Sequence, residues 1–146
     1  MKLFSRNIQV RWSDLDPNFH LRHSAYYDYG ALCRIEFFNQ YGLTAHFMQQ
    51  HGFGPVLFRE EALFKREIQA TDTITIDMHL LKSTEDYSRW TLQHHFYKNT
   101  DTLAAVITVD GAWLNTQKRK LTTPPATAQV TFAAIEKSDA FSWTTN

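Results

Sequence analysis

The chain has 146 residues, of which 43% are hydrophobic and 21% are charged, with 15 Lys and Arg residues balanced by 15 Asp and Glu residues. A chain of this length buries roughly 68 to 70% of its unfolded surface and can form one sizeable core. The composition excludes collagen-like, disulfide-scaffold and disordered proteins, and the balanced charge excludes a whole-chain electrostatic attraction to nucleic acid or an anionic membrane.

The first half of the chain predicts one strand and one long helix. Residues 3–12 alternate loosely between apolar and polar side chains, which suits a half-buried strand. After the turn-rich segment SDLDPN, a helix of about five turns is predicted from Ser24, as N-cap, to Gly42, as the residue after the helix. Aromatic and aliphatic side chains occupy most of its circumference, so we expect it to be buried on most sides.

The second half predicts a short helix at residues 45–50 and then four consecutive strands. Alternation is clearest in the second and third of these strands, which indicates antiparallel strands with one buried face. The order of strand, long helix and four strands predicts an α+β fold with one antiparallel sheet. The four strands cover residues 55–65, 73–81, 89–97 and 103–114.

The chain is expected to form one domain with a tail. No internal repeat, low-complexity tract or flexible linker divides residues 1–122. Residues 123–146 contain Pro124 and Pro125 near their start and include a weakly amphipathic stretch, so we expect this tail to pack peripherally or to be partly disordered.

The single cysteine and the hydropathy of the chain predict a soluble protein in a reducing compartment. Cys33 has no partner for an internal disulfide, and a single thiol excludes metal sites built on several thiolates. The N-terminus lacks the apolar segment of a signal peptide, and polar residues, Gly and Pro interrupt the longest uncharged stretch, 37–58. We therefore expect a soluble cytoplasmic protein with no membrane span.

The densest cluster of reactive side chains lies between the first strand and the helix. The unpaired N–H groups of a helix N-terminus can stabilise a carbonyl oxygen as it becomes an oxyanion, and a nearby Asp is a candidate nucleophile or general base. The competing interpretation is structural, because Asp, Asn, Pro and Ser also form ordinary turns. The cluster contains Asp14, Asp16, His20, Arg22 and His23.

Metal binding is not expected at this cluster. His20 and His23 are three residues apart, but no third ligand is evident nearby. We therefore predict neither a metal site nor a cofactor.

The segment DLDPNFHLRHSAY resembles the N-terminal signature of the hydroxybenzoyl-CoA thioesterase-like family of hotdog-fold proteins, which is approximately D-x-D-x-x-G-H-x-N-N-x-x-Y. Asp14, Asp16, His20 and Tyr26 match this signature in order and spacing. Arg34 matches an Arg that is common on the central helix of the family. The resemblance covers about residues 5–125 and implies a curved sheet wrapped around the long helix.

The resemblance also implies roles for individual residues. The second Asp of the motif is the catalytic carboxylate of the family, which implies this role for Asp16. The helix start at His23 corresponds to the place where a backbone N–H polarises the thioester carbonyl, and a His here resembles the acyl-CoA thioesterases associated with the Tol-Pal system. Three positions depart from the family pattern, with Phe19 for a Gly, Arg22 for an Asn and Ala31 for a Glu.

The function implied by the resemblance is that of an acyl-CoA thioesterase, which hydrolyses a thioester to a carboxylic acid and free CoA without a cofactor. Asp16 would attack the carbonyl directly or activate water. The substrate would be an acyl-CoA or an acyl-carrier-protein thioester. Two alternatives stay open, namely another hotdog enzyme such as an acyl-thioester hydratase or dehydratase, and a non-enzymatic module that binds acyl-CoA or fatty acid.

Aromatic and basic residues are the predicted substrate contacts. Trp12, Phe19, His20 and Tyr26 are expected to contact the substrate. The basic run 118–120 offers Lys118 and Arg119 for the CoA phosphates, although a solvated strand end is the competing interpretation.

The predicted assembly follows from the sheet. A sheet of five strands around one helix leaves an exposed edge, and such edges are normally paired or covered. We therefore expect a homodimer or homotetramer with sites built from both chains.

Overall fold

The body of the protein is a curved, mostly antiparallel sheet with a long helix on one face, in a computed structural model that describes residues 4–145. Up to residue 115 the elements follow the predicted α+β order, except that the predicted strand at residues 73–81 is divided in two, and the structure adds two strands and a helix after residue 115. Within the described residues, the strands are β1 (Ser5–Ile8), β2 (Phe53–Phe64), β3 (Ile74–Asp77), β4 (His79–Ser83), β5 (Arg89–Lys98), β6 (Thr102–Asn115), β7 (Lys120–Leu121) and β8 (Lys137–Trp143), and the helices are α1 (Ala25–Gln40), α2 (Ala45–His51) and α3 (Ala126–Ala133).

The sheet is organised around the two longest central strands. β5 and β6 pair with each other, and β2 adds to the other side of β6 as an edge strand. On the far side of β5, β3 and β4 follow each other with Met78 between them, and they pair onward with β1 and β8 respectively. The predicted single strand at residues 73–81 is thus two short strands, each of which pairs with a different outer strand.

The predicted first strand is shorter in the structure. β1 ends at Ile8, and Trp12 lies in a 3₁₀ turn, Trp12–Asp14, instead of at the end of a strand. Residue 3, at which the predicted strand begins, lies outside the described residues. None of the helices in residues 4–145 has the length and apolar character required to cross a bilayer.

The predicted long helix is confirmed as α1, but it is buried along one side only. Its buried side chains recur at spacings of three and four residues and face the sheet, whereas Leu32 on the opposite side is 44% exposed. The expectation of burial around most of the helix was wrong for a single chain, because one sheet covers only one face. Gly42 follows the helix with a φ of 78°, as expected for a residue that ends a helix.

Cys33 lies at the contact between α1 and β3. Its side chain is fully buried, and its Sγ atom is 3.7 Å from the carbonyl oxygen of Asp77. Burial, followed by the charge of Asp77, raises the pKa of the Cys33 thiol to about 12. The thiol is therefore protonated near neutral pH, and it acts as a small apolar side chain of the core.

The tail packs more closely than the sequence indicates. Residues 126–133 form α3, whose Phe132 side chain is fully buried against aromatic rings from α1, β5 and β6. β8 then joins the sheet as a parallel partner of β4. The structure thus differs from the expected peripheral packing because one large apolar side chain of α3 enters the core. The boundary at residue 122 stays a prediction.

Candidate active site

The segment between β1 and α1 folds as a tight loop that presents Asp16. The backbone N–H of Asp16 donates to the carbonyl of His20 at 2.8 Å, and Leu15 pairs with Leu21. Phe19 closes the turn with a φ of 65°, a left-handed conformation that costs a bulky residue roughly 1–2 kcal/mol. The glycine of the family signature at this position therefore corresponds to a backbone requirement, which this chain meets with Phe19.

Asp14 anchors the loop to the protein interior. Both of its carboxylate oxygens accept hydrogen bonds from the Arg11 guanidinium, at 2.8 and 2.9 Å, and Oδ2 also accepts one from the Tyr29 hydroxyl at 2.6 Å. The side chain is buried. Hydrogen bonding to Arg11 is the largest of the causes that lower the pKa of Asp14. Asp14 is therefore an ionised structural group that fixes the loop against α1.

Asp16 is held in a different way, because only one of its two carboxylate oxygens accepts hydrogen bonds from the described residues. Its Oδ1 atom accepts hydrogen bonds from the backbone N–H groups of Asn18 and His20, at 2.9 and 3.1 Å. Within residues 4–145, Oδ2 of Asp16 accepts no hydrogen bond. The turn therefore orients the carboxylate and leaves one oxygen available for an incoming group.

Two residues at the N-terminus of α1, His23 before the N-cap and Tyr26 in the first turn, line the same cavity as the Asp16 carboxylate. Ser24 occupies the N-cap position, but its side chain makes no capping hydrogen bond to the helix, contrary to the expected capping role. Its Oγ atom instead accepts a hydrogen bond from Arg22, whose guanidinium also donates to the carbonyl of Ser13 at 2.7 Å. Arg22, at an Asn position of the family signature, thus connects Ser13 in the loop to Ser24 at the start of α1. The first N–H groups of α1 have no side-chain cap and favour negative charge nearby.

A surface cavity of about 330 Å³ joins these groups. Four of the residues singled out from the sequence line it, and His20 places its Nε2 atom 3.3 Å from the Glu67 carboxylate across the cavity wall. The cavity lining comprises Asp16, His20, Leu21, His23, Tyr26, Phe64, Lys65, Arg66 and Glu67.

Tyr26 forms the apolar floor of the cavity. Its ring packs edge-on against Phe64, with centroids 5.0 Å apart, and against Phe96. Burial, and then the negative charge of Asp16, raise the pKa of Tyr26 to about 12. The phenol is therefore protonated at neutral pH, and Asp16 is close enough for its charge to act on it.

Four predicted contact residues do not line this cavity. Trp12 and Phe19 form an exposed aromatic pair with ring centroids 6.2 Å apart, and Trp12 is 77% exposed. Lys118 and Arg119 lie in the turn after β6, beside the start of β2, whereas the cavity is beside its end. A strand of 12 residues separates these ends by roughly 35–40 Å. Their substrate-binding roles stay predictions.

The end of β2 and the segment after it contribute a part of the cavity wall that was not predicted. Phe64, Lys65, Arg66 and Glu67 supply an apolar, a basic and an acidic part of the cavity wall. They follow Tyr26, the last residue of the motif, by 38 to 41 residues, and the bridge between His20 and Gln69 brings the two segments together. Lys65 and Arg66, two adjacent basic residues at the end of the predicted strand 55–65, were the sequence feature that could have indicated this part of the wall.

The sequence of the chain matches the model of a known protein family. Residues 10–132 match the family model of the thioesterase-like superfamily. The chain matches none of the curated protein sequences.

Solved structures share the fold at low sequence identity. A hypothetical protein of Staphylococcus aureus in complex with CoA has a TM-score of 0.83 and 19% identity, over 94% of this chain and 87% of that one. A 1,4-dihydroxy-2-naphthoyl-CoA thioesterase of Synechocystis has a TM-score of 0.81 and 13% identity, over 91% and 97% of the two chains. A DHNA-CoA thioesterase of Staphylococcus aureus has a TM-score of 0.75 and 14% identity, over 84% and 81%. The predicted hotdog fold is confirmed.

Proposed function

The chain belongs to the thioesterase-like superfamily, and we propose that it hydrolyses an acyl-CoA thioester to a carboxylic acid and free CoA. The observation that carries this proposal is the position of the Asp16 carboxylate in a cavity beside the N-terminus of α1. A carboxylate can attack a carbonyl or activate water, and helix N–H groups stabilise the oxyanion that forms. The CoA bound by one structural relative supports a CoA ester as the substrate.

Two chemical routes are compatible with the orientation of Asp16. In the first, Oδ2 attacks the thioester carbon, the C–S bond breaks, CoA leaves as the thiolate, and water hydrolyses the resulting anhydride. In the second, Asp16 takes a proton from water as the oxygen attacks, and this proton passes to the departing sulfur. In both routes the N–H groups at the start of α1, next to His23, would stabilise the negative oxygen.

Basic residues at the cavity are the proposed contacts for CoA phosphates. Lys65 and Arg66 line the same cavity as Asp16, and they have the charge to bind the phosphate groups. If two copies of β2 pair in an antiparallel manner, the basic turn with Lys118 and Arg119 in one protomer would approach the cavity of the other. This arrangement would retain the predicted phosphate role for these two residues, and it would build each site from both chains.

We predict that the protein is a homodimer or a homotetramer in solution. β2 pairs only with β6 among the described strands, and Leu57, Phe58 and Leu63 expose apolar surface along it. Open strand edges of this kind favour association with another strand. Light scattering should therefore give at least twice the mass of one 17.1 kDa chain.

Two charge substitutions test which surface mediates this association. Leu63→Glu should shift the protein toward the monomer, because a carboxylate would be buried in the interface. Val130→Glu, at an exposed position on α3, should leave the mass unchanged. A wild-type protein that is monomeric at micromolar concentration would contradict the proposed assembly.

Thiol release from a panel of acyl-CoAs tests the proposed function. The panel should contain short, long and aromatic acyl groups, and we expect turnover of at least one class well above the rate without protein. Acyl-carrier-protein esters of the preferred acyl group would then distinguish the two carriers. Saturable acyl-CoA binding without thiol release from any member would instead support the binding module. Hydration or dehydration of an enoyl or hydroxyacyl ester would support the other enzyme class.

A further inference from the structure

Three potential metal ligands converge on the face of the sheet opposite α1. Asp77 ends β3 and His79 begins β4, so the two-residue period of extended chain places both side chains on the same face. On the neighbouring strand, Ile76 pairs with Phe96 and His79 pairs with Gln93, so His95 lies opposite Asp77. The adjacent His94 points the other way, toward Arg34 of α1, to which it hydrogen bonds.

The distances within this group suit a tetrahedral metal ion. The Nδ1 atom of His95 is 3.0 and 3.2 Å from the two carboxylate oxygens of Asp77. The Nδ1 atom of His79 is 3.6 Å from Oδ2 of Asp77, and one ligand atom from each of the three residues lies within 4.8 Å of the others. Ligands bound at about 2.0–2.1 Å in a tetrahedron are separated by about 3.3 Å, close to the two distances from Oδ2.

The ring of His79 provides a second, independent observation. Its Nδ1 atom is buried and has no hydrogen-bond partner in the part of the chain that the structure describes. A buried imidazole nitrogen without a partner is costly, and it would gain a partner if a metal ion bound next to Asp77. The neighbouring carboxylates Glu136 and Asp139 add negative charge around His79, which also favours a cation.

The carboxylate remains available as an anionic ligand. The Asp77 side chain is 5% exposed, and its Oδ2 atom lies 3.6 Å from Nδ1 of His79 and 3.2 Å from Nδ1 of His95. The backbone N–H of His95 also donates to Oδ1 at 2.7 Å, so the side chain is already oriented. The two histidines retain 18% and 23% exposure of their side chains, which gives an ion a path from solvent.

We propose that Asp77, His79 and His95 form a binding site for a divalent transition-metal ion of the Zn²⁺ class. Two imidazole nitrogens and one carboxylate oxygen are a ligand set that Zn²⁺ accepts, and the fourth position would hold water. The ion would connect β4 to β5 on the sheet face away from the helix. This site shares no residue with the cavity around Asp16 and does not depend on the proposed thioesterase activity.

Calorimetry with Zn²⁺ on the metal-free full chain tests the proposal. We expect one Zn²⁺ per chain near neutral pH, and an increase in Tm with Zn²⁺ concentration, because an ion that binds only the folded state stabilises it. Co²⁺ should give the visible absorption of a tetrahedral site. His79→Ala should weaken Zn²⁺ binding at least tenfold, and His95→Ala should do the same.

The control is His51→Ala, at an exposed His on α2 that should leave Zn²⁺ binding unchanged. His79 also contacts Asp77 and packs against the ring of His95, so the metal-free Tm of each variant is measured beside its Zn²⁺ binding, and binding is compared between folded proteins. Absence of Zn²⁺ binding by the wild type would overturn the proposal, as would undiminished binding by both variants. Binding that is lost in His20→Ala and kept in His79→Ala would also overturn it, by assigning the ion to the cavity.

Discussion

Replacing Phe132 with Ala should lower the free energy of unfolding by about 3–5 kcal/mol, the cost of removing a large ring from a packed core. The Phe132 side chain is fully buried, and its ring centroid lies 5.6 Å from that of Phe38, 5.3 Å from that of Trp90 and 5.5 Å from that of Trp113. Its removal would leave a cavity among three rings that belong to other elements. Urea unfolding followed by far-ultraviolet circular dichroism measures the effect.

Val130 provides the matched control on the same helix. Its side chain is 61% exposed, so Val130→Ala should change the unfolding free energy by no more than about 0.5 kcal/mol. Equal, small effects for both substitutions would mean that α3 does not contribute to the core, and that the tail is peripheral as the sequence indicates.

The location of α3 could not be predicted from local sequence, for a physical reason. Exposed Val130 and buried Phe132 are only two residues apart on a short helix of mixed polarity, so no clear apolar face marks the buried side. β8 was missed because its pairing with β4 depends on a contact between residues more than fifty positions apart. Such a pairing is decided by tertiary packing, which overrides the weak local preference for a strand.

Asp16→Asn should lower kcat for the preferred acyl-CoA at least about a hundredfold, because the amide is a far weaker nucleophile and base than the carboxylate. The amide oxygen can still accept the two backbone hydrogen bonds that Asp16 accepts from Asn18 and His20. We therefore expect the variant to fold and to bind acyl-CoA. Thiol release and acyl-CoA binding should be measured on the same preparation.

Asp14→Asn is the control for this substitution. Asp14 is a buried carboxylate that Arg11 and Tyr29 contact, so its replacement should reduce stability while the folded protein retains its kcat. If Asp14→Asn abolished turnover in the folded state and Asp16→Asn did not, the assignment of Asp16 would be wrong. That outcome would leave the thioesterase proposal standing, because thiol release by the wild-type protein tests it separately.

The candidate site was predictable where it lies within one continuous segment. The motif residues Asp16, His20, His23 and Tyr26 line one cavity because a turn directly precedes a helix, an arrangement that local sequence specifies. The wall formed by residues 64–67 was not predictable, because it comes from the end of an edge strand in another part of the chain. Sequence spacing carries no information on which strand end meets which loop.

The strands show the same division between local and long-range information. His94 and His95 face opposite sides of β5, in agreement with the alternation predicted for the strand at residues 89–97. It could not indicate that Asp77 and His95 would be opposite each other, because register depends on the partner strand. The break at Met78 was also missed, since the side chains on its two sides continue to alternate.

The burial of Cys33 makes it a built-in reporter of conformational opening. Thiol-modifying reagents react with the thiolate, and they must first reach it. A fully buried sulfur with a pKa of about 12 will therefore be alkylated only when α1 separates from β3. Because the chain has one cysteine, the alkylation rate follows that single separation event without any introduced label. Because Cys33 is buried, a colorimetric thiol reagent in the hydrolysis assay will react with released CoA and not with the folded protein.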